Sequence, residues 1–167
     1  IVEDLVEHRR QIAAHSPGGR LDPPMLLVLD EAANIAPLPT LPSLLADGGG
    51  VGIPTVAVFQ SLAQARARWG DTATDAMWDA ATIKVILGGM AKTRDVEEIA
   101  RLFGEHDEEV VTRSCGAGSA SVSTAVRRSP SLSPQQLRTV PFGEAVILPR
   151  GAPPARIRLA RAAPAMR

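Results

Sequence analysis

Two adjacent carboxylates, Asp30 and Glu31, directly follow the apolar run Met25-Leu26-Leu27-Val28-Leu29. A run of that length reads as a buried parallel strand, and the C-terminal end of such a strand is where sheets of this kind open onto a site. Neighbouring residues at the end of a strand point different ways, so one carboxylate can face a metal ion and the other a nucleophile. This is the Walker B pattern: Asp30 would hold Mg2+, directly or through its water, and Glu31 would orient and polarise the water that attacks a γ-phosphate. Strand ends also carry acids that only meet solvent, so the pair by itself leaves both readings open.

A second apolar run, Thr55–Phe59, ends at Gln60, followed by Ser61-Leu62-Ala63-Gln64. A side-chain amide can donate through its NH2 and accept through its carbonyl. At the tip of a strand next to the acids, Gln60 could touch the γ-phosphate or the lytic water. Gln64 lies four residues on and shares the face of Gln60 on a helix, either as a partner to it on the nucleotide side or as ordinary surface. The phosphate-binding half of such a site is missing. A Walker A loop needs G-x-x-x-x-G-K-[ST], so that backbone N–H groups wrap the phosphates and a lysine reaches them. The lysines are Lys84 and Lys92, preceded by Ile83 and Ala91, and the Gly48–Gly50 run reads as a flexible turn before a strand. Alone, these residues should bind nucleotide weakly or not at all.

The elements that must position these groups follow from periodicity. Residues 2–15 read as an amphipathic helix stopped by Ser16, Pro17, Gly18 and Gly19, and a short helix is expected over Leu41–Ala46. Helical patterns return at Leu62–Trp69, Thr74–Ala81 and Arg94–Phe103, with a third strand at Ile83–Leu87. Strands alternating with helices at these intervals predict the α/β class, with a mainly parallel sheet flanked by helices. After Glu108 the texture changes: Val110 and Val111 suggest a strand, 114–133 reads as a flexible loop or weak hairpin rich in Ser, Gly and Ala, and Ala145–Leu148 and Ala155–Leu159 read as two final strands.

The chain has 167 residues, enough for one domain with a real core. Its 45% hydrophobic and 22% charged residues suit a soluble globular protein, and no apolar run nears the roughly 18 residues that span a bilayer. A single cysteine, Cys115, excludes an internal disulfide, and with three scattered histidines it makes no metal site. There is no signal-peptide pattern at Ile1, and the sequence reads as a piece of something longer. Net charge is zero, yet residues 1–112 carry 9 basic and 17 acidic side chains, a net of −8, and 113–167 carry 9 and 1, a net of +8. That basic segment could face DNA phosphates or serve as solvated surface and as a partner for the acidic part.

Asp30-Glu31-Ala32-Ala33-Asn34-Ile35-Ala36, Leu41-Pro42-Ser43-Leu44-Leu45-Ala46, Gly52-Ile53 and Phe59-Gln60-Ser61-Leu62-Ala63-Gln64, in that order, resemble the TraG/TraD-type coupling ATPases of conjugation and type IV secretion. Trp69-Gly70-Asp71, Lys84-Val85-Ile86-Leu87-Gly88-Gly89, Leu132-Ser133-Pro134-Gln135-Gln136-Leu137 and Glu144-Ala145-Val146-Ile147-Leu148 extend the likeness over nearly the whole chain. The resemblance implies a RecA-like P-loop NTPase core, with residues 1–167 as its C-terminal, Walker B portion. It implies ATP and Mg2+ as cofactors, Asp30 at the metal, Glu31 and Gln60 in catalysis, and Gln60 and Gln64 at the nucleotide.

It further implies a protein anchored in the bacterial inner membrane, with this domain on the cytoplasmic side. Such a protein forms a ring, expected to be a hexamer, and delivers relaxase-bound DNA to the type IV secretion channel. The present chain, without Walker A, is expected to be inactive alone and a monomer or weak dimer. In many relatives an arginine precedes the strand that ends in Gln; here Gly48-Gly49-Gly50-Val51-Gly52 stands there, so either Arg66 or Arg68, which also read as plain surface, serves as a finger or hydrolysis is slow or differently triggered. The competing reading is a module that docks relaxosome or channel proteins and hydrolyses nothing.

Overall fold

The computed structural model describes residues 1–89, 93–116, 119–130 and 132–160, with the side chains of 93–94, 105–116 and 119–130 left out. The described chain divides after Lys84 into two compact units.

The first unit opens with α1 (Val2–His15), which carries Glu3 and Asp4 in its first turn and buries Val6 and Ala13. Acids at a helix N-terminus complement the partial positive charge of the unpaired N–H groups there. The Ser16 hydroxyl donates to the Ile12 carbonyl at 2.8 Å and closes the helix. Next come β1 (Leu27–Leu29), α2 (Leu41–Asp47) and β2 (Thr55–Ala57). Strands β1 and β2 pair in parallel, with Leu27 opposite Thr55, Val28 opposite Val56 and Leu29 opposite Ala57. Two helices, α3 (Leu62–Trp69) and α4 (Asp71–Ala80), complete the unit and meet at Gly70, whose φ of 82° makes the corner. Leu29, Leu41, Leu44, Ile53 and Met77 form the centre of one apolar core with Val6, Ala13, Leu21, Ala32 and Leu38. Arg10 ties α1 to the end of α2 through Asp47 at 2.6 Å.

The β1–β2 ladder depends on a close approach. Gly52 has φ 84°, and a Cβ there would stand 2.8 Å from both the amide nitrogen and the carbonyl oxygen of Leu21. Its own carbonyl accepts from Met25 N–H at 2.9 Å, and Pro54 O accepts from Leu27 N–H at 2.9 Å. Only a residue without a side chain lets the segment leading into β1 lie this near.

One expectation needs correction here. The run 25–29 reads as a strand buried on both faces, yet Leu26 and Val28 are 62% and 58% exposed, as Val56 and Val58 are at 48% and 40%. Leu27, Leu29, Ala57 and Phe59 face the core, so this chain covers one face of the pair and leaves the other open to water.

β3 (Ile83–Ile86) straddles the boundary after Lys84 and lies in a three-stranded sheet of order β3-β6-β7, whose other strands belong to the second unit. Here α5 (Thr93–Arg101) buries Val96, Ile99 and Ala100, and the short α6 (Pro134–Arg138) buries Leu137. A capping box starts α6: the Ser133 hydroxyl accepts from Gln136 N–H, and the Gln136 side chain accepts from Ser133 N–H at 2.8 Å. β6 (Glu144–Pro149) and β7 (Ala155–Arg158) are antiparallel.

Where a loop or weak hairpin is expected over 114–133, the backbone runs as two twelve-residue antiparallel strands, β4 (Glu105–Gly116) and β5 (Ser119–Pro130). Their register sets the acidic positions 107 and 108 opposite the basic positions 128 and 127. The α/β class holds. The described strands lie in three small sheets, with β1–β2 parallel and β4–β5 and β6–β7 antiparallel, and they do not make one clearly parallel core. The alternation of strands and helices that signals a parallel sheet ends at α5, after which β4 pairs with β5 and β6 with β7 as antiparallel neighbours across short connections.

Candidate functional site

Parallel pairing brings the C-terminal ends of β1 and β2 to the same edge, and this places Glu31 beside Gln60 across 29 positions of sequence. The ladder runs past the strands: Leu29 O accepts from Val58 N–H at 2.9 Å, and Val58 O accepts from Ala32 N–H at 3.0 Å. Between those two bonds the chain turns sharply, with Glu31 at φ 48°. That left-handed conformation is unfavourable for a residue with a Cβ and persists where its surroundings fix it. Asp30 Oδ1 accepts from Glu31 N–H at 3.0 Å, and the Glu31 carbonyl accepts from the N–H groups of Asn34 and Ile35 at 2.8 and 3.0 Å.

The turn sends the Glu31 side chain toward the tip of β2. Gln60 Nε2 donates to Glu31 Oε1 at 2.6 Å, Gln64 Nε2 donates to Gln60 Oε1 at 3.0 Å, and Asn34 Nδ2 donates to Glu31 Oε2 at 3.3 Å. An ionised carboxylate only accepts, so Gln60 must present its NH2 to Glu31 and its carbonyl to Gln64. The result is a chain of amides running from α3 onto the carboxylate. Gln64 is set for this by the start of α3, where the Ser61 hydroxyl accepts from Gln64 N–H at 3.2 Å. Gln60 lies outside the helix, so its contact with Gln64 comes from a side chain reaching back over the cap.

Aromatic packing holds the tip of β2 in place. Phe59, next to Gln60, meets Trp69 edge to face with ring centroids 6.0 Å apart, and the Trp69 indole donates to Leu38 O at 2.9 Å. Trp69 is thus the bolt between α3, the segment after β1 and the tip of β2. Trp78 is half-buried, with Lys84 Nζ 5.5 Å from its ring centroid. Of the two candidate fingers, Arg66 lies 3.7 Å from Asp71 and 4.0 Å from Asp75, across the α3–α4 corner. Arg68 is exposed.

Gln60 and Asp30 are exposed and Glu31 and Gln64 half-buried, so the cluster is open to a ligand. Its donor set is hard oxygen. Among the described residues no group of three or more His, Cys, Asp or Glu could cage a metal. Mg2+ is usually bound through one or two carboxylates together with phosphate oxygens. Asp30, exposed after the end of β1, offers the carboxylate oxygens that such a shared ion takes.

Of the four residues singled out from the sequence, Glu31, Gln60 and Gln64 come together through side-chain hydrogen bonds, and Asp30 adjoins them only through the Glu31 N–H that its Oδ1 accepts. Sequence reasoning missed Asn34, which binds the second oxygen of Glu31. The signal was an amide three residues after the acid pair, within reach if the chain turns there.

The model of the family described as "TraM recognition site of TraD and TraG" matches residues 24–142. A comparison with curated proteins gives no match. Among solved structures, the bacterial conjugative coupling protein TrwBdeltaN70 in its unbound monoclinic form is similar, at TM-score 0.69 and 22% identity over 93% of this chain and 36% of that one. The plasmid coupling protein TrwB with the non-hydrolysable ATP analogue ADPNP matches at TM-score 0.70 and 20% identity, over 95% of this chain and 36% of that one. TrwB with ADP and Mg2+ matches at 0.65 and 21%, over 95% and 38%. Identities this low establish a shared fold. The chain spans little more than a third of the length of those structures. Among the described residues no helix is long and apolar enough to cross a membrane.

Proposed function

The chain belongs to the TraD and TraG family defined by the TraM recognition site, and from that premise we propose that it is part of an ATP-driven coupling protein. That protein delivers DNA with its bound relaxase to a type IV secretion channel during conjugation. In this reading the chain is the Walker B portion of a RecA-like nucleotide-binding domain, and a Walker A loop elsewhere in the whole protein completes the site. Without that loop the chain alone is inactive, and it is a monomer or weak dimer where the whole protein forms a ring, taken to be a hexamer. The whole protein is anchored in the inner membrane with this domain on the cytoplasmic side.

The observation that carries the reading is the Gln60–Glu31 contact at 2.6 Å. It joins, at one sheet edge, the two groups that γ-phosphate chemistry needs from neighbouring strands. Asp30 is the carboxylate that holds Mg2+, and Glu31 accepts hydrogen bonds from the attacking water and orients it. Bound Mg2+ supplies charge neutralisation on the phosphate oxygens. Gln60 can donate to a terminal phosphate oxygen with the same NH2 it now gives to Glu31, and Gln64 keeps that NH2 facing the site. TrwB, which shares the fold, has been captured with ADPNP and with ADP and Mg2+, and this supports nucleotide binding by the complete protein.

Conjugation itself provides the test. Donor cells carrying the intact protein with Glu31→Gln should transfer DNA far less often than wild type at equal protein level. Transfer at the wild-type frequency would reject the motor reading.

A second reading keeps some support. The family description names recognition of TraM, so the same chain can act as a surface that docks relaxosome or channel proteins. Docking is expected to survive Glu31→Gln, and that separates it from hydrolysis.

A further inference from the structure

We propose that Asn34 is a positioning residue for Glu31, the second of two amides that together fix the direction of its carboxylate. This rests on the reading of Glu31 as the group that polarises water.

Glu31 sits in a left-handed conformation at φ 48°, and its side chain is half-buried at the end of a strand. Such a side chain has several rotamers open to it unless both oxygens are held. Gln60 holds Oε1 at 2.6 Å and Asn34 holds Oε2 at 3.3 Å. The two donors differ in what they can do. Both are exposed, but Gln60 comes from the segment after another strand and has a competing use for its NH2 at a phosphate.

Asn34 is tied to Glu31 twice, through its side chain and through its own backbone N–H to the Glu31 carbonyl at 2.8 Å. It moves with Glu31. When a terminal phosphate draws Gln60 away, Oε1 becomes available to a water proton, while Asn34 keeps Oε2 anchored and the carboxylate aimed. Pinning one oxygen and releasing the other turns a mobile acid into an oriented base.

The chemistry predicts an order of variants that a space-filling role cannot reproduce. Asn34→Asp keeps the shape and replaces a donor with a like charge facing Glu31. Asn34→Ala removes the donor and adds no repulsion. In the intact coupling protein, Asn34→Ala should lower kcat about tenfold with KM for ATP within about twofold, and Asn34→Asp should lower kcat further.

A second readout needs no activity. In 15N-edited NMR spectra of the 167-residue chain, the side-chain NH2 signals of Asn34 and Gln60 should both move on Glu31→Gln, and that of Gln60 should move on Asn34→Ala as the carboxylate reorients. An unmoved Asn34 NH2 signal on Glu31→Gln would overturn the proposal, as would Asn34→Asp matching wild type in kcat. If Glu31→Gln leaves hydrolysis intact, the motor reading fails. If Glu31→Gln abolishes it and both Asn34 variants behave as wild type, only the Asn34 assignment fails.

Discussion

Gln60 Nε2 stands 2.6 Å from Glu31 Oε1, although 29 positions separate the two residues in the chain. The contact exists because β1 and β2 run in parallel and end together. Everything proposed about hydrolysis depends on this meeting of an amide and an acid at one sheet edge.

Replacing Gln60 by Leu keeps the volume and removes both the donor to Glu31 and the acceptor from Gln64. Hydrolysis by the intact protein should fall by about a hundredfold, the usual scale for losing one preorganised donor, while the fold persists because Gln60 is exposed. Gln64→Leu should cost less, since Gln64 acts only through Gln60. Steady-state ATPase rates for the two variants check the order, and a larger loss for Gln64→Leu would contradict it.

Gly52→Ala should destabilise the chain by about 2 kcal/mol, because a positive φ and a Cβ pressed on the Leu21 backbone are both unfavourable. Thermal unfolding followed by circular dichroism reads this directly. Gly49→Ala, where a Cβ meets nothing within 4 Å and φ is ordinary, is the control and should stay near wild type.

Trp69 supplies apolar area, an edge-to-face contact with Phe59 and a hydrogen bond to Leu38 O. Trp69→Phe should cost about 1 kcal/mol from the lost bond alone, and Trp69→Ala about 3 kcal/mol or more. Urea unfolding monitored at the remaining Trp78 would test both, and equal losses for the two variants would contradict the assignment of the hydrogen bond.

Leu26, Val28, Val56 and Val58 line an open apolar sheet face, and parallel pairs are normally covered on both sides. The isolated chain should therefore associate weakly as its concentration rises. The double variant Val28→Thr, Val56→Thr keeps β-branching while wetting the face, and it should sediment as a monomer over the same range. Association unchanged by the double variant would place the contact elsewhere.

The elements around the site were legible because their signals are local. The β1 and β2 runs and the helix at Leu62–Trp69 follow from apolar periodicity, and the two strand ends name Asp30, Glu31 and Gln60. Asn34 was not legible, because its reach to Glu31 depends on a left-handed turn that no periodicity encodes. The helix α6 was missed, although Ser133 and Gln136 are spaced as a capping box. The one-sided burial of β1 could not be read from an all-apolar run, since burial depends on what covers each face. The hairpin of β4 and β5 was legible only as one of two alternatives, a loop or a weak hairpin, because the weak preferences of Ser, Gly and Ala say little until a partner strand fixes the register.

The central claim is that Glu31 polarises the attacking water. It is tested most directly by the ATP hydrolysis rate of the intact protein carrying Glu31→Gln, measured beside its affinity for Mg-ATP. The account predicts a loss of at least about a hundredfold in rate with nucleotide binding retained. A variant that binds and hydrolyses ATP as wild type does would contradict it.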